Sequence, residues 1–273
     1  MADKSHEGLK WVMRAGYGAR GAIYVAVGFL AILAAVKSVG TSGTKDALVA
    51  LRSEPFGTPL LWLIALGLFC YLGWRVIAGI ADVDDKGTDA KGLFSRAGLI
   101  VTGLLHGAIG VSVIGLAQGQ SSGGDSTSDW TQKVMAMPQG RILVGIGACI
   151  LLGAGIYYAY KGLSGKYKDH LAASSLTTKL SPVLTGGLVV YGGLLALVAL
   201  SIAAAAFFGD PERAGGLGQA LQQLRSVAYG RILLGVAGIG VLAFALYNFV
   251  EAAYRVVPRI NGPDVETLAN KLS

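Results

Sequence analysis

Charge is what this sequence is shortest of. Only 14% of its 273 residues are Asp, Glu, Lys or Arg, against 53% hydrophobic. A soluble domain carries about 25% charged residues, so this chain cannot cover itself with a solvated surface. A mean hydropathy of +0.57 places most of it in lipid. There is no long polar segment to form a second domain, so residues 1–273 read as a single membrane domain. Cysteine is nearly absent. Cys70 and Cys149 both fall inside apolar segments, which excludes a disulfide framework and a cysteine-based metal site and leaves buried, inert thiols. Of the three histidines, His6 and His170 lie outside the apolar segments, so a bis-histidine haem and a histidine metal cluster are excluded too. No metal and no cofactor are expected. A Ser-His-Asp or Cys-His constellation, a phosphate loop and a zinc motif are all missing. Polar residues are scarce at membrane depth, and no enzymatic activity is expected. The opening MADKSHEGLK is polar and charged, without the short apolar region of a cleavable signal peptide.

What is present is a set of apolar runs. Six are long enough to cross a bilayer, which needs about 20 mostly apolar residues: residues 19–36, 59–81, 97–117, 142–160, 181–208 and 232–250. They lack the alternation of barrel strands and are too long for them, so they read as helices. The first extends back through Gly16, with Arg14 and Arg20 expected to snorkel to the surface. Fifteen of the 23 Lys and Arg residues flank one set of helix ends, together with both termini, against eight on the other. By the positive-inside rule both termini are cytoplasmic. Trp62 and Phe207-Phe208 then mark the outer interface, and Tyr71, Trp74, Tyr157, Tyr160 and Tyr247 the inner one. The net charge of +7 is explained by anionic headgroups, not nucleic acid.

The chain also repeats itself. Residues 140–162 return at 230–252 with seven of 23 positions identical, including the opening Gly-Arg-Ile-Leu. Arg14-x-Gly16-x3-Arg20-Gly21-x2-Tyr24-x3-Gly28 aligns with Arg96-x-Gly98-x3-Thr102-Gly103-x2-His106-x3-Gly110, and more weakly with Lys179-x-Ser181-x3-Thr185-Gly186-x2-Val189-x3-Gly193. Each first helix is followed by an outer loop with a short amphipathic stretch (residues 46–51, 130–135 and 217–224). A glycine then opens the second helix: Gly57, Gly140 or Gly230. Gly57 lies 14 residues before Tyr71, not 17 as in the other copies, which reads as a shortened unit or a non-equivalent glycine. The expectation is an all-α integral membrane protein of six transmembrane helices. They form three tandem two-helix repeats, about residues 10–84, 92–166 and 175–257, with pseudo-threefold symmetry. Small residues such as Gly103-x3-Gly107, Gly186-Gly187 and Gly192-Gly193 serve close helix packing.

Three local patterns carry a resemblance: Arg20-Gly21-x2-Tyr24-x3-Gly28, Tyr71-x2-Trp74-Arg75, and Asp82-x4-Gly87-x-Asp89-Ala90-Lys91-Gly92. With them the chain resembles, over nearly its full length, the bacterial membrane family called domain of unknown function 1206. The resemblance implies three two-helix units and a place in the bacterial cytoplasmic (inner) membrane. It brings no catalytic or binding residues with it.

His106 is the sharpest candidate, an ionisable residue near the middle of a span. Arg20 with Tyr24, Thr102 with His106, and Thr185 with Val189 each share a helix face. They could line the pseudo-threefold axis down to Gly28, Gly110 and Gly193, or make interhelical hydrogen bonds. Arg75, Lys161 and Glu251 roughly correspond at the inner helix ends. Glu251 is expected to pair with Arg255, four residues on, or with a basic residue of another repeat. The acidic run from Asp82 to Asp89 departs from an EF-hand loop at Lys86 and Leu93 and reads as a helix-capping turn. Residues 121–128 read as a flexible outer loop. Dense glycine packing, scarce buried charge and no catalytic set favour a non-enzymatic accessory, scaffolding or lipid-interacting bundle. Its partners would be membrane lipids and other membrane proteins. The alternative is a small-solute, ion or proton transporter or channel along the pseudo-threefold axis, and an amphiphile site between repeats is a third reading.

Overall fold

The computed structural model describes residues 2–37, 48–49, 51–53, 55–120, 127–257 and 267–272. Half of the expected stretch at 46–51 and most of the loop at 121–128 lie outside the described residues; residues 48, 49 and 51 are helical. The fold is all α. In chain order the helices are α1 (Ala2–Lys37), α2 (Gly57–Ala81), α3 (Ala90–Ala117), α4 (Thr127–Met135), α5 (Gly140–Leu163), α6 (Ser175–Phe208), α7 (Leu217–Ser226), α8 (Gly230–Tyr254) and α9 (Leu268–Leu272). Six of them, α1, α2, α3, α5, α6 and α8, are long and apolar enough to cross a membrane. The short α4 and α7 lie in the loops that precede α5 and α8.

Helix starts follow local chemistry. Asp89 caps α3 by accepting from Gly92 N at 3.0 Å, and Ser174 and Thr177 form a reciprocal capping box on α6. The second helix of each unit begins differently. Phe56, Gln139 and Tyr229 all sit in the left-handed region, and a glycine follows each. A Cβ on Gly57, Gly140 or Gly230 would come within 2.0, 2.0 and 2.1 Å of the carbonyl oxygens of Leu51, Val134 and Arg225. The three glycines are therefore equivalent, and neither reading of a shortened or mismatched first unit holds. The residues 17 places beyond them are Trp74, Tyr157 and Tyr247, and 18 places beyond are Arg75, Tyr158 and Asn248. Tyr71 is thus no counterpart of Tyr157. In the same register Lys161 and Glu251 correspond to Ala78, so Arg75 does not belong with them.

The spanning helices pack as neighbours in the order α3, α2, α1, α8, α6, α5. Glycines let backbones touch along this row: Gly16 lies against the backbone of Tyr71, Gly187 against Ala243 and Phe244, and Gly155 and Gly192 against one another. The two ends of the row, α3 and α5, belong to one repeat, yet they are not among the packed pairs. The arginines after two of the opening glycines cap neighbouring helices. Arg141 donates to the Ala206 and Phe207 carbonyls at the end of α6, and Arg231 to Ala35 and Val36 at the end of α1. Each cation meets carbonyls that have no intrahelical partner and the negative end of a helix dipole. This accounts for the repeated Gly-Arg.

Two expectations about placement are corrected. Cys149 is exposed on α5 instead of buried. Tyr71, Trp74 and Tyr247 are buried inside the bundle and are not interface anchors, whereas Tyr157 and Tyr160 are exposed. At the same end, the link after α5 pairs with the chain leaving α8: Ala172 N donates to Tyr254 O and Val256 N to His170 O, both at 2.8 Å.

Candidate functional site: a caged arginine beside a buried ion cluster

Arg20 does not snorkel. It is 2% exposed, because the helices around it supply what water would have given. Its Nη1 donates to the Tyr71 hydroxyl at 3.2 Å, and its Nη2 to Tyr158 and Tyr191 at 3.3 and 3.5 Å. The guanidinium carbon lies 5.1 to 5.8 Å from the ring centres of Phe244, Tyr71, Tyr24 and Tyr191. Aromatic faces attract a cation most where water is excluded. Phe244 stacks on Tyr191 at 3.7 Å, and Tyr24 shares a 2.7 Å hydrogen bond with the Tyr191 hydroxyl. Among the described residues no carboxylate pairs with Arg20, and its Nε has no partner. Residues of α1, α2, α5, α6 and α8 thus meet around one positive charge.

Arg75 continues the cluster. Its Nε donates to the same Tyr71 oxygen at 2.8 Å, so one hydroxyl accepts from two arginines. Its guanidinium lies over the Tyr71 and Tyr17 rings at 5.0 and 5.7 Å. The side chain is half-buried, and its two Nη groups donate to no described residue.

At the near end of the bundle, charge is paired. Arg255 reaches both oxygens of Asp84 at 3.1 and 3.0 Å and also donates to Glu251. Lys161 donates to the Tyr247 hydroxyl at 2.8 Å, and Tyr247 passes its own proton donation to Glu251. The group joins the end of α8 to α5 and to the link after α2. Burial alone would raise the Asp84 pKa, but the Arg255 guanidinium outweighs it and holds the carboxyl well below its ordinary value. Burial, helped by Arg255 and opposed by Asp84, pushes the His170 imidazole down to about 4. The cations Arg20, Arg75, Lys161 and Arg255 face the carboxylates Glu251 and Asp84, a surplus of two positive charges. The expectation of scarce buried charge is therefore overturned.

The sequence candidates are dispersed. Arg20 and Tyr24 sit in the core, and Glu251 and Arg255 form an ion pair. His106 is buried, but its Nδ1 donates to the Thr102 carbonyl of its own helix at 2.8 Å, and its ring lies 4.8 Å from that of Tyr71. Thr102 donates to Gly98 O at 2.7 Å, and Thr185 shares a 3.1 Å hydrogen bond with Tyr167. Gly28 packs on α8, whereas Gly193 meets nothing. The three polar stripes thus do not line one common path. Asp82 spends its carboxylate on the Lys86 and Gly87 amides, as the capping-turn reading expects. Sequence reasoning did not single out Tyr17, Tyr158, Tyr191 or Phe244, and it read Asp84 only as part of the capping turn, not as a partner of Arg255. The available signal was a tyrosine in mid-span, far from either interface, at Tyr191.

The family model for Domain of Unknown Function (DUF1206) matches this chain three times, at residues 15–82, 97–165 and 186–255. An uncharacterised protein of Bacillus subtilis (strain 168), YxxB, is 24% identical over 262 residues, covering 93% of this chain and 95% of that protein. No solved structure matches. With six helices of spanning length and three copies of the family unit filling most of its length, the chain is a multi-pass membrane protein that belongs to the DUF1206 family.

Proposed function

We propose that this chain is a non-enzymatic, lipid-interacting bundle of the bacterial cytoplasmic membrane, which admits an amphiphile sideways between α3 and α5. In this reading its three units stand around a pseudo-threefold axis with both termini on the cytoplasmic side. The bacterial relative and the bias of Lys and Arg toward one set of helix ends support the location and orientation. The packing of α1 on α8, α3 on α2 and α6 on α5 supports the symmetry, since each first helix leans on the second helix of another unit.

The observation that carries the reading is the break in that arrangement. The first and third units pack their own two helices together, α1 with α2 and α6 with α8, and the second unit does not. Its helices are also the least buried of the six spans. A Cβ added at Gly147 or Gly153 on α5 or at Gly98 on α3 would meet no described residue. A transport path along the axis is less well supported, because the rings of Tyr24, Tyr191 and Phe244 fill the space between α1, α6 and α8.

A photoactivatable phospholipid tests this in liposomes containing the purified chain. Labelling should concentrate on α3 and on the α5 segment around Tyr157 and Tyr158. Even labelling over all six spans, or flux of a solute through the protein, would contradict the reading.

A further inference from the structure

We propose that the cation surplus beside the α3–α5 opening is a site for the phosphate-bearing head group of an anionic phospholipid, held by Arg75 and Lys161 with Arg20 as a fixed charge behind them. The inference rests on lateral entry and adds which lipid enters and which residues hold it.

The charge count makes the case. Glu251 and Asp84 are both engaged by Arg255, and Lys161 stands 3.9 Å from Glu251. Nothing anionic among the described residues is left for Arg20 or Arg75. Removing a cation from water is costly unless a counter-charge replaces the lost hydration. Tyrosine hydroxyls and ring faces do part of this for Arg20, but among the described residues no carboxylate does for Arg20 what Asp84 and Glu251 do for Arg255. A neutral pocket would not be built this way, whereas a pocket completed by an anion would.

The cluster also has a closed back and an open front. Arg20 is sealed by Tyr71, Tyr191 and Phe244. Arg75 is half-buried and its Nη groups donate to no described residue, and the Lys161 side chain is 13% exposed. Tyr158, half-buried on α5, links the two: it accepts from Arg20 at 3.3 Å and lies one helical turn before Lys161. A guanidinium offers paired donors that match phosphate oxygens, and the ammonium adds a point charge.

The surroundings specify a lipid. Lys161 is in the last turn of α5, and Arg75 lies six residues, about 9 Å, before the end of α2. That depth suits a head group drawn slightly into the bundle. The helices that flank the opening are apolar, with Leu105 of α3 and Ile150 of α5 exposed. A free anion would leave this flank uncovered, whereas acyl chains would cover it.

Native mass spectrometry of the delipidated full-length chain decides the matter. The probes are phosphatidylglycerol and phosphatidylcholine with matched acyl chains. The anionic lipid should bind about tenfold tighter, the effect of one charge-assisted contact. Arg75→Gln and Lys161→Gln should each weaken phosphatidylglycerol more than phosphatidylcholine and bring the two lipids close to parity. Arg75→Lys should keep most of the preference, which separates loss of charge from loss of fold. Equal affinity in the wild type, an unaltered preference in the double variant, or displacement of the lipid by inorganic phosphate would overturn the head-group inference while leaving lateral entry standing. Failure to bind either lipid would remove lateral entry itself.

Discussion

Arg20 and Arg255 are both almost completely buried, and they are neutralised in opposite ways. Arg255, just past the end of α8, lies between two carboxylates, Glu251 in the last turn of that helix and Asp84, far away in sequence. Arg20 lies among hydroxyls and rings and has no carboxylate. The first is a closed account of charge that ties helix ends together. The second is an open valence, positioned by five helices and supplied with weaker partners. Removing either arginine would disturb packing, but only at Arg255 would it strand two buried anions. The tie around Arg255 and the binding of an anion beside Arg20 and Arg75 are therefore separable by experiment.

The largest effect is expected from Arg255→Ala. Breaking a buried pair by deleting one partner costs about 3–5 kcal/mol, so thermal unfolding in detergent should drop steeply. A small loss would mean that the Asp84–Arg255–Glu251 group is not a structural tie. Next is Tyr71→Phe, which takes an acceptor from Arg20 and Arg75 together and should cost about 1–3 kcal/mol. Its effect should exceed that of Tyr191→Phe, whose bond to Arg20 is long at 3.5 Å. The reverse order would show that the cage does not centre on Tyr71.

Acid should act at the tied end. His170 is held down to about 4, so the folded state resists its protonation. Its contribution is complete above the ordinary histidine value and is lost as pH falls from about 6.5 toward 4. Asp84 is held low, so its contribution is complete above the ordinary carboxylate value and is lost only below it. The melting temperature should therefore fall between pH 7 and 5, and His170→Gln should flatten that slope while leaving the steeper loss at lower pH. An unchanged slope would exclude His170 as the titrating group. The smallest effect is expected at His106. Its hydrogen bond stays within its own helix, so His106→Leu should cost less than about 1 kcal/mol and leave lipid preference intact. A large change in lipid preference would restore His106 to the site.

Much of this architecture is legible in the residues. Apolar length gives the six spans, self-similarity gives the repeat, and the i, i+4 spacing gives Glu251 with Arg255. The fate of Arg20 is not. Beside Arg14 near a polar end it reads as a snorkelling residue, and what buries it are tyrosines 51, 138 and 171 positions away. The register of the second helix misleads because a tyrosine is easier to align than a backbone requirement. Gly57, Gly140 and Gly230 share a left-handed approach and a carbonyl contact that identity matching at Tyr71 obscures. The separation of α3 from α5 leaves no trace in composition, since lipid and a packed helix select similarly apolar faces.

Electron cryomicroscopy of the chain in nanodiscs containing phosphatidylglycerol tests the central claim most directly. The account predicts lipid density between α3 and α5, with its head group against Arg75 and Lys161. Closure of α3 onto α5, with nothing beside those two cations, would contradict it.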